Sequence, residues 1–233
     1  MTVTTTRGMT RSMNIFHAAL RRDLDRAATV LEDVASTTDD RVRVLGDHLG
    51  WLLELLHDHH VGEDERLYPA LVERHPGAAG LVAEMAHEHR QVVEAIDRAA
   101  AAGRQASGGA APVAERARAL REALTALRGV LDPHLEREEL EMMPVVDEFL
   151  PQADWDRYEQ GNVDRPTRHL AFLGHWIIDG LGPDDTEIVT AAVPPVPRFV
   201  LLHLLGGAYR KRRTALWAGT PAAAIRSQPR PTE

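Results

Sequence analysis

Two segments of the chain carry the same arrangement of histidine, acidic residues and proline, and this repeat limits the fold more than any other feature. In each segment a histidine is followed by glutamate four residues later, by a second acid five residues later and by proline ten residues later. Side chains at positions i and i+4 lie on one face of an α-helix, so each histidine and its glutamate can reach the same metal ion. The shared residues are His59, Glu63, Asp64 and Pro69 in the first segment and His134, Glu138, Glu139 and Pro144 in the second.

A second repeat lies in the segments that precede these two. His17 and His89 each follow a methionine by four residues and are followed by apolar residues three and seven positions later. The separation is 72 residues from His17 to His89 and 75 residues from His59 to His134, which indicates a duplicated pair of helices. If the two pairs pack antiparallel, four imidazoles and two carboxylates converge in the interior. The predicted metal ligands are His17, His59, Glu63, His89, His134 and Glu138.

The spacing of apolar residues predicts an all-α fold, in which an up-down-up-down four-helix bundle over 13–150 carries a C-terminal helical extension over 151–233. Apolar residues recur every three or four positions in four long segments, and strand patterns are nearly absent. The predicted bundle helices cover 13–34, 39–73, 79–102 and 113–150, and the predicted extension helices cover 164–179, 184–192 and 197–217.

Three further expectations concern bends, packing and the end of the chain. Pro133 and Pro144 predict local bends in the fourth helix, because proline cannot donate a backbone hydrogen bond. The extension is expected to pack on the bundle, since it is too short to form a large core alone, and residues 221–233 are expected to fray. The side chains expected to be buried in this contact are Phe172, Trp176, Ile177, Phe199, Leu201 and Leu204.

Composition narrows the chemistry of the site and the partners. The chain has no cysteine, which excludes disulfides, zinc–thiolate sites, iron–sulfur clusters and thiol nucleophiles. Four imidazoles and two carboxylates suit iron, with manganese, zinc or another transition metal as alternatives, and do not suit calcium or magnesium. A formal net charge of -8 argues against a nucleic-acid partner. No segment has the roughly 18 apolar residues of a membrane span, and no signal peptide is evident, so we expect a cytoplasmic protein without a membrane partner.

The repeated motifs resemble those of the hemerythrins and of the wider family of hemerythrin-like, His-His-Glu cation-binding domains. The resemblance covers about residues 13–150. It implies a non-haem di-iron centre in a four-helix bundle, with a role in oxygen binding, oxygen or redox sensing, or iron handling. The residues that carry the resemblance are His17, His59 with Glu63, His89, and His134 with Glu138.

Two departures from the oxygen carriers of this family bear on function. The carriers have a second histidine four residues after the one at His89, where this chain has Val93, and His87 lies on another side of that helix. The carriers also place the acid of the fourth helix at the position of Glu139, whereas Glu138 has the spacing of the second helix. Fewer protein ligands leave more positions open to oxygen, peroxide or substrate. We therefore expect a centre that reacts with dioxygen and is not a simple reversible carrier.

Other polar residues near the motifs and in the extension are expected to play supporting or surface roles, with direct ligation as the alternative for those beside the site. Such residues either hydrogen-bond to the ligands from behind, pack in the core or face solvent. The residues beside the site are His57, His60, Asp64, Tyr68, His87 and Glu139, and those in the extension are His169, His175, His203 and the basic run Arg210, Lys211, Arg212 and Arg213.

The sequence favours a di-iron protein that binds or reacts with dioxygen or a related small oxidant, in sensing or detoxification. The first alternative is an oxidase or oxygenase acting on a small organic substrate, which an aromatic lining beside the metals would favour. The second alternative is an iron-storage or structural module. A ferritin-like centre is disfavoured, because that class uses Glu-x-x-His, the reverse order with a shorter spacing. The residues available for an aromatic lining are Trp51, Trp155, Phe172 and Trp176.

Overall fold

The computed structural model describes residues 7–32, 37–162, 167–191 and 195–231, and the regular structure within these ranges is helical, without a strand. The predicted all-α fold is confirmed, whereas the alternating direction of the four long helices stays a prediction. In the same ranges, no helix combines the length and the hydropathy needed to cross a lipid bilayer. The helices of the bundle are α1 (Arg7–Glu32), α2 (Asp39–Gly62), α3 (Tyr68–Arg74), α4 (Ala79–Gly108), α5 (Val113–Arg137) and α6 (Met143–Phe149).

The core of the bundle forms from the apolar faces that the sequence spacing predicts. Helix α2 packs on α4, α4 packs on α5, and α5 packs on α1. Leucine side chains fill most of the shared interior, where truncating one to alanine typically costs about 2–5 kcal/mol. The fully buried leucines of this core include Leu20, Leu24, Leu31, Leu45, Leu49, Leu120, Leu127 and Leu131.

Two helix boundaries in the bundle differ from the prediction. Helix α1 begins at Arg7, before the predicted start, and α4 continues to Gly108, through the tract that was expected to end it. The reason lies in the contact of α4 with α2, because a Cβ atom at Gly46 would collide with the carbonyl oxygen of Gly103. Facing glycines allow the two backbones to approach closely, which offsets the low helix propensity of glycine. The predicted end of the first helix, Val34, lies outside the described residues.

Helices α2 and α5 each end in a π-helical turn at the same point of the repeated motif. The residue that follows each turn donates its backbone N–H to the carbonyl oxygen of the glutamate that begins the turn. Pro69 and Pro144 follow these turns. Because a proline has no backbone N–H and its ring displaces the carbonyl group four residues before it, the helix widens at this point. Pro133 lies inside the continuous helix α5. The two turns are Glu63–Leu67 and Glu138–Met142.

The extension contains a helix that the sequence pattern does not predict. This first helix has only two large apolar residues, Trp155 and Tyr158, and therefore lacks a visible helical period. The predicted helix over 197–217 is instead two helices that are interrupted at Gly206. The helices of the extension are α7 (Gln152–Asn162), α8 (Thr167–Ile178), α9 (Pro183–Ala191), α10 (Pro195–His203) and α11 (Gly207–Trp217).

The extension shares the core of the bundle through α8 and α11. Trp176 and Trp217 are buried in that core, and Phe172 and Ile177 are partly buried against it. The prediction was wrong for Phe199 and Leu204, which are 60% and 66% exposed, because their segment packs on α8. The side chain of Leu201 lies outside the described residues. A domain boundary near residue 150 stays a prediction.

The predicted fraying of the chain end is wrong for residues 221–231. The carbonyl of Ile225 accepts a hydrogen bond from Arg26 at 2.7 Å, and the carbonyl of Arg230 accepts one from Arg11 at 2.7 Å. Two arginines of α1 thus hold the end of the chain against the bundle. Local sequence gives no sign of this, because the donors and acceptors are about 200 residues apart.

A buried ionic junction joins α1 to the extension. Asp23 accepts hydrogen bonds from Arg22 at 2.9 Å, from His48 at 2.8 Å and from the indole of Trp176 at 2.9 Å. Burial by itself would raise the pKa of Asp23, but Arg22, His48 and Arg26 lower it far below its usual value. The carboxylate therefore stays ionised and links α1, α2 and α8.

Candidate metal centre

The structure brings the six predicted ligands together in the bundle interior. Each is at most 7% exposed. One histidine comes from each of the four long helices, and each glutamate is the first residue of a π-helical turn. The repeated motif therefore presents its two glutamates at equivalent points of the two halves.

Histidine and glutamate side chains form two groups, and in each group three candidate ligand atoms lie within 4.8 Å of one another. All members of both groups are buried. The first group is His17, His59 and Glu138, and the second group is His60, His89 and His134.

Glu138 belongs to the first group but also faces the second, and Glu63, which belongs to neither group, faces both. Oε1 of Glu63 is 2.9 Å from Nε2 of His59, and its Oε2 is 3.6 Å from Nε2 of His89. Oε2 of Glu138 is 3.5 Å from Nε2 of His17 and 3.9 Å from Nε2 of His134. Each carboxylate thus faces histidines of both groups. This is the position from which a carboxylate can bridge two cations and offset their repulsion.

His60 takes a place that the sequence did not assign to it. It is 1% exposed, and its ring stacks on that of His89 with centroids 4.4 Å apart and lies 5.1 Å from the ring of His134. The expectation that His60 is solvated was wrong, because its side chain is buried. Neither of its ring nitrogens has a hydrogen-bond partner among the described residues, so no contact to another ligand is seen, and direct ligation stays the alternative. One sequence signal does exist, since His60 continues the buried stripe of Leu53 and Leu56 at helical spacing. The centre therefore contains five imidazoles.

Buried polar atoms without a hydrogen-bond partner are concentrated in this cluster. Among the residues that the structure describes, those that belong to the cluster are both ring nitrogens of His60, both oxygens of Glu63, Nε2 of His89, Nε2 of His134 and Oε2 of Glu138. Buried polar atoms in proteins are almost always paired, since an unpaired one costs several kcal/mol in an apolar setting. Bound cations would satisfy one nitrogen of each of these imidazoles together with the carboxylate oxygens. The donor set of five imidazoles and two carboxylates fits a transition metal.

Three of the imidazoles are held from behind by carboxylates. In each case the carboxylate contacts Nδ1, which fixes the ring so that Nε2 faces the centre and makes the imidazole a stronger donor. Asp64 and Glu139 take the supporting role expected for them, while Glu88 was missed, although it directly precedes a ligand histidine. The contacts are His17 with Glu139 at 3.0 Å, His89 with Asp64 at 2.9 Å, and His134 with Glu88 at 3.0 Å.

Two buried phenols complete the surroundings. The hydroxyl of Tyr68 donates to Oε1 of Glu138 at 3.1 Å, so this residue does more than pack. The hydroxyl of Tyr158, from α7, lies 3.5 Å from Nδ1 of His59. Tyr158 was missed because α7 was not predicted. His57 and His87 are exposed, as the sequence interpretation expected.

Burial dominates the proton affinities of the centre. It raises the pKa of Glu63 and of Glu138 to about 7 and lowers the pKa of His59 and of His134 to about 4. For His89, burial acts in the lowering direction, but its hydrogen bond with Asp64 and the charge of Glu63 raise its pKa. Most of the imidazoles are thus neutral near pH 7, the form in which histidine binds a metal.

The remaining histidines and aromatic residues lie away from the ligand atoms. Phe16 covers His59, with ring centroids 4.5 Å apart, and Trp176 lies 5.7 Å behind Phe16. An aromatic lining beside the metals would favour the oxygenase alternative, but Trp176 does not provide it, because it lies one layer behind Phe16. Ring contacts of His175 and His203 are with Tyr209 and Phe199 in the extension, and the side chain of His169 lies outside the described residues.

Comparison with known proteins gives one match. The family model of the hemerythrin HHE cation binding domain matches residues 9–146, which is more than half of the chain and contains every member of the cluster. Searches of curated proteins and of solved structures found no match. Together the match and the buried histidine–glutamate cluster indicate a metal-binding protein. The chain belongs to the hemerythrin HHE cation-binding domain family.

Proposed function

We propose that the chain binds two iron ions in the two groups and that the loaded protein reacts with dioxygen or a related small oxidant such as peroxide or nitric oxide, in sensing or detoxification. The observation that carries this proposal is the convergence of five imidazoles and two carboxylates. Five of these side chains have buried polar atoms without a hydrogen-bond partner within the described ranges, namely His60, Glu63, His89, His134 and Glu138. Imidazole and carboxylate ligands suit iron, and manganese is the first alternative.

Each of the two groups would hold one ion. His17 and His59 serve one ion, and His60, His89 and His134 serve the other, while Glu63 and Glu138 face both groups. Iron bound there would supply a redox-active Lewis acid that can take up and reduce an oxidant. The protein keeps the site dry, because all seven side chains are at most 7% exposed.

Burial favours a small oxidant over an organic substrate. Access to a site covered by Phe16 and lined by fully buried ligands requires only small fluctuations for a diatomic molecule, whereas an organic molecule needs an opened helix interface. The oxygenase alternative therefore requires a conformational change that the sensing or detoxifying role does not. It is tested by asking whether small organic molecules accelerate the reaction with oxygen.

We expect two iron ions per chain, and we expect His60→Leu to retain only one of them. Leucine preserves the apolar volume but removes the imidazole from the group that also contains His89 and His134. His57→Leu is the matched control, because His57 is an exposed residue one turn earlier on the same helix. Elemental analysis after loading with ferrous iron measures the result. A wild-type ratio of one ion per chain, or two ions in His60→Leu, contradicts the proposed ligand set.

We expect the ferrous protein to react with dioxygen and to remain oxidised when the oxygen pressure is lowered. His60 supplies an imidazole that Val93 does not, so a shortage of ligands no longer argues against reversible carriage. The expectation rests instead on Glu139, Asp64 and Glu88, because carboxylates behind imidazoles favour the more highly charged ferric state. Near-ultraviolet absorbance during cycles of oxygen pressure measures this. Full, repeated recovery of the colourless ferrous state would show a carrier.

A further inference from the structure

His59 differs from three other candidate ligand histidines in the group that contacts its Nδ1 atom. His17, His89 and His134 each have a carboxylate at Nδ1, at 2.9–3.0 Å. At His59 the partner of Nδ1, among the residues that the structure describes, is the hydroxyl of Tyr158 at 3.5 Å. This separation is long for a hydrogen bond, but no competing partner occupies Nδ1.

Tyr158 is fixed in this place by packing. It is 3% exposed and lies in α7, outside the matched domain of residues 9–146. Its ring contacts that of Trp155, with centroids 5.3 Å apart, and the guanidinium of Arg66 lies 5.9 Å above it. Helix α7 contacts α2 and the π-helical turn that begins at Glu63. The extension therefore brings a phenol directly to the ligand cluster.

The internal repeat supplies one phenol to the ligand cluster and not two. Tyr68, in the first half, donates its hydroxyl to Glu138 of the second half. The equivalent residue of the second half, 75 positions later, is Met143, which has no hydroxyl to offer Glu63. Tyr158 in α7 is the second phenol at the cluster, and its hydroxyl lies 3.5 Å from Nδ1 of His59.

We propose that Tyr158 is a positioning residue of the metal centre, whose phenol oxygen accepts the Nδ1–H of His59 and so holds Nε2 of this ring towards the cluster. The proposal rests on the proposed function, because positioning matters only if Nε2 of His59 binds a metal. By accepting this hydrogen bond, the phenol can fix both the tautomer and the orientation of the His59 ring. Because a phenol is neutral, it makes His59 a weaker metal ligand than the three histidines whose Nδ1 atoms contact carboxylates.

The test compares Tyr158→Phe with Tyr209→Phe in the full-length protein. Phenylalanine keeps the ring that packs on Trp155 and removes only the hydroxyl. Tyr209 is the matched control, because it also lies in the extension and donates its hydroxyl to a carboxylate, that of Asp179, at 2.9 Å. Zinc serves as the diamagnetic probe, its release to a chelator is timed, and nitrogen-15 spectra of the histidine side chains are recorded with and without zinc.

We expect Tyr158→Phe to release zinc about 10- to 100-fold faster than the wild type, as removal of a residue behind a metal ligand typically does. We also expect the slowly exchanging Nδ1–H signal of His59 to be lost, while Tyr209→Phe resembles the wild type in both measurements. Unchanged release and an unchanged His59 signal in Tyr158→Phe overturn the proposal, as does equal acceleration in both variants. A wild-type chain that binds neither iron nor zinc contradicts the proposed function instead, and the metal-free His59 spectra then still decide whether Tyr158 holds this ring.

Discussion

Removal of the metal ions will lower the thermal midpoint of unfolding by about 8–16 °C for each ion lost. An ion present at about 1,000 times its dissociation constant stabilises the native state by about 4 kcal/mol. In a chain of this size each kcal/mol shifts the midpoint by roughly 2–4 °C. The effect is large because the metal-free centre leaves both oxygens of Glu63, one oxygen of Glu138 and several imidazole nitrogens without hydrogen-bond partners in the part of the chain that the structure describes. Calorimetry of chelator-treated and iron-reloaded protein measures the difference.

Variants of the ligands should reproduce this loss one group at a time. His59→Ala and His134→Ala each remove an imidazole from a different group, so each should lower the midpoint by about 8–16 °C, the shift expected for the loss of one ion. His75→Ala is the control, since the ring of His75 stacks on Phe149, with centroids 3.8 Å apart, and belongs to neither group. A loss of iron from His75→Ala as large as that from His59→Ala would mean that the centre has been placed wrongly.

Replacement of Asp23 by asparagine will destabilise the native state by about 3–5 kcal/mol, the usual cost of removing one partner from a buried ionic contact. Arg22 and Arg26 would then lie buried at 1% exposure without that carboxylate. Asp25→Asn is the matched control, because Asp25 lies on the same helix, is 43% exposed and pairs with Arg128 at 2.9 Å. Its loss should cost about 0–1 kcal/mol. Urea unfolding at pH 7 measures the loss of stability in both variants. Equal losses in Asp23→Asn and Asp25→Asn would contradict the role assigned to the buried ionic junction.

The contribution of Asp23 to the free energy of unfolding should also depend on pH, and it should fall on acidification. Its pKa in the folded chain is lowered, so the carboxylate stabilises the native state at pH values above its unfolded pKa of about 3.9. As the pH falls below that value, the unfolded chain takes up a proton that the native chain does not. The difference in unfolding free energy between wild type and Asp23→Asn should therefore be largest at neutral pH and shrink below about pH 4. A difference that grew on acidification would contradict the ionised state of Asp23.

The repeated motif was enough to place the core of the candidate centre. Spacing of four residues puts His59 with Glu63 and His134 with Glu138 on shared helix faces, and this relation is local to one helix. Apolar periodicity likewise predicted the four long helices, because each must bury one stripe of side chains. The family match over residues 9–146 agrees with what these local patterns indicated.

The parts that escaped prediction all depend on contacts between distant segments. Local spacing separates His60 from His59 by about 100° around the helix. The stripe that His60 shares with Leu53 and Leu56 hints at burial, but the packing of neighbouring helices decides that both histidines face the interior. Tyr158 reaches His59 across 99 positions of the sequence, from a helix with too few apolar residues to be recognised. Glu88 contacts His134 in the same long-range manner.

The sequence by itself therefore determined an all-α chain of the hemerythrin HHE family, with six residues suited to hold metal, because helix periodicity and i, i+4 spacing are properties of single segments. Only the tertiary structure decided that a fifth imidazole joins the centre, that the extension brings a phenol to it, and that Asp23 and the end of the chain lock this extension in place. These features arise where separate segments meet. The energies that select such contacts come from burial and pairing of polar groups, which no local pattern records.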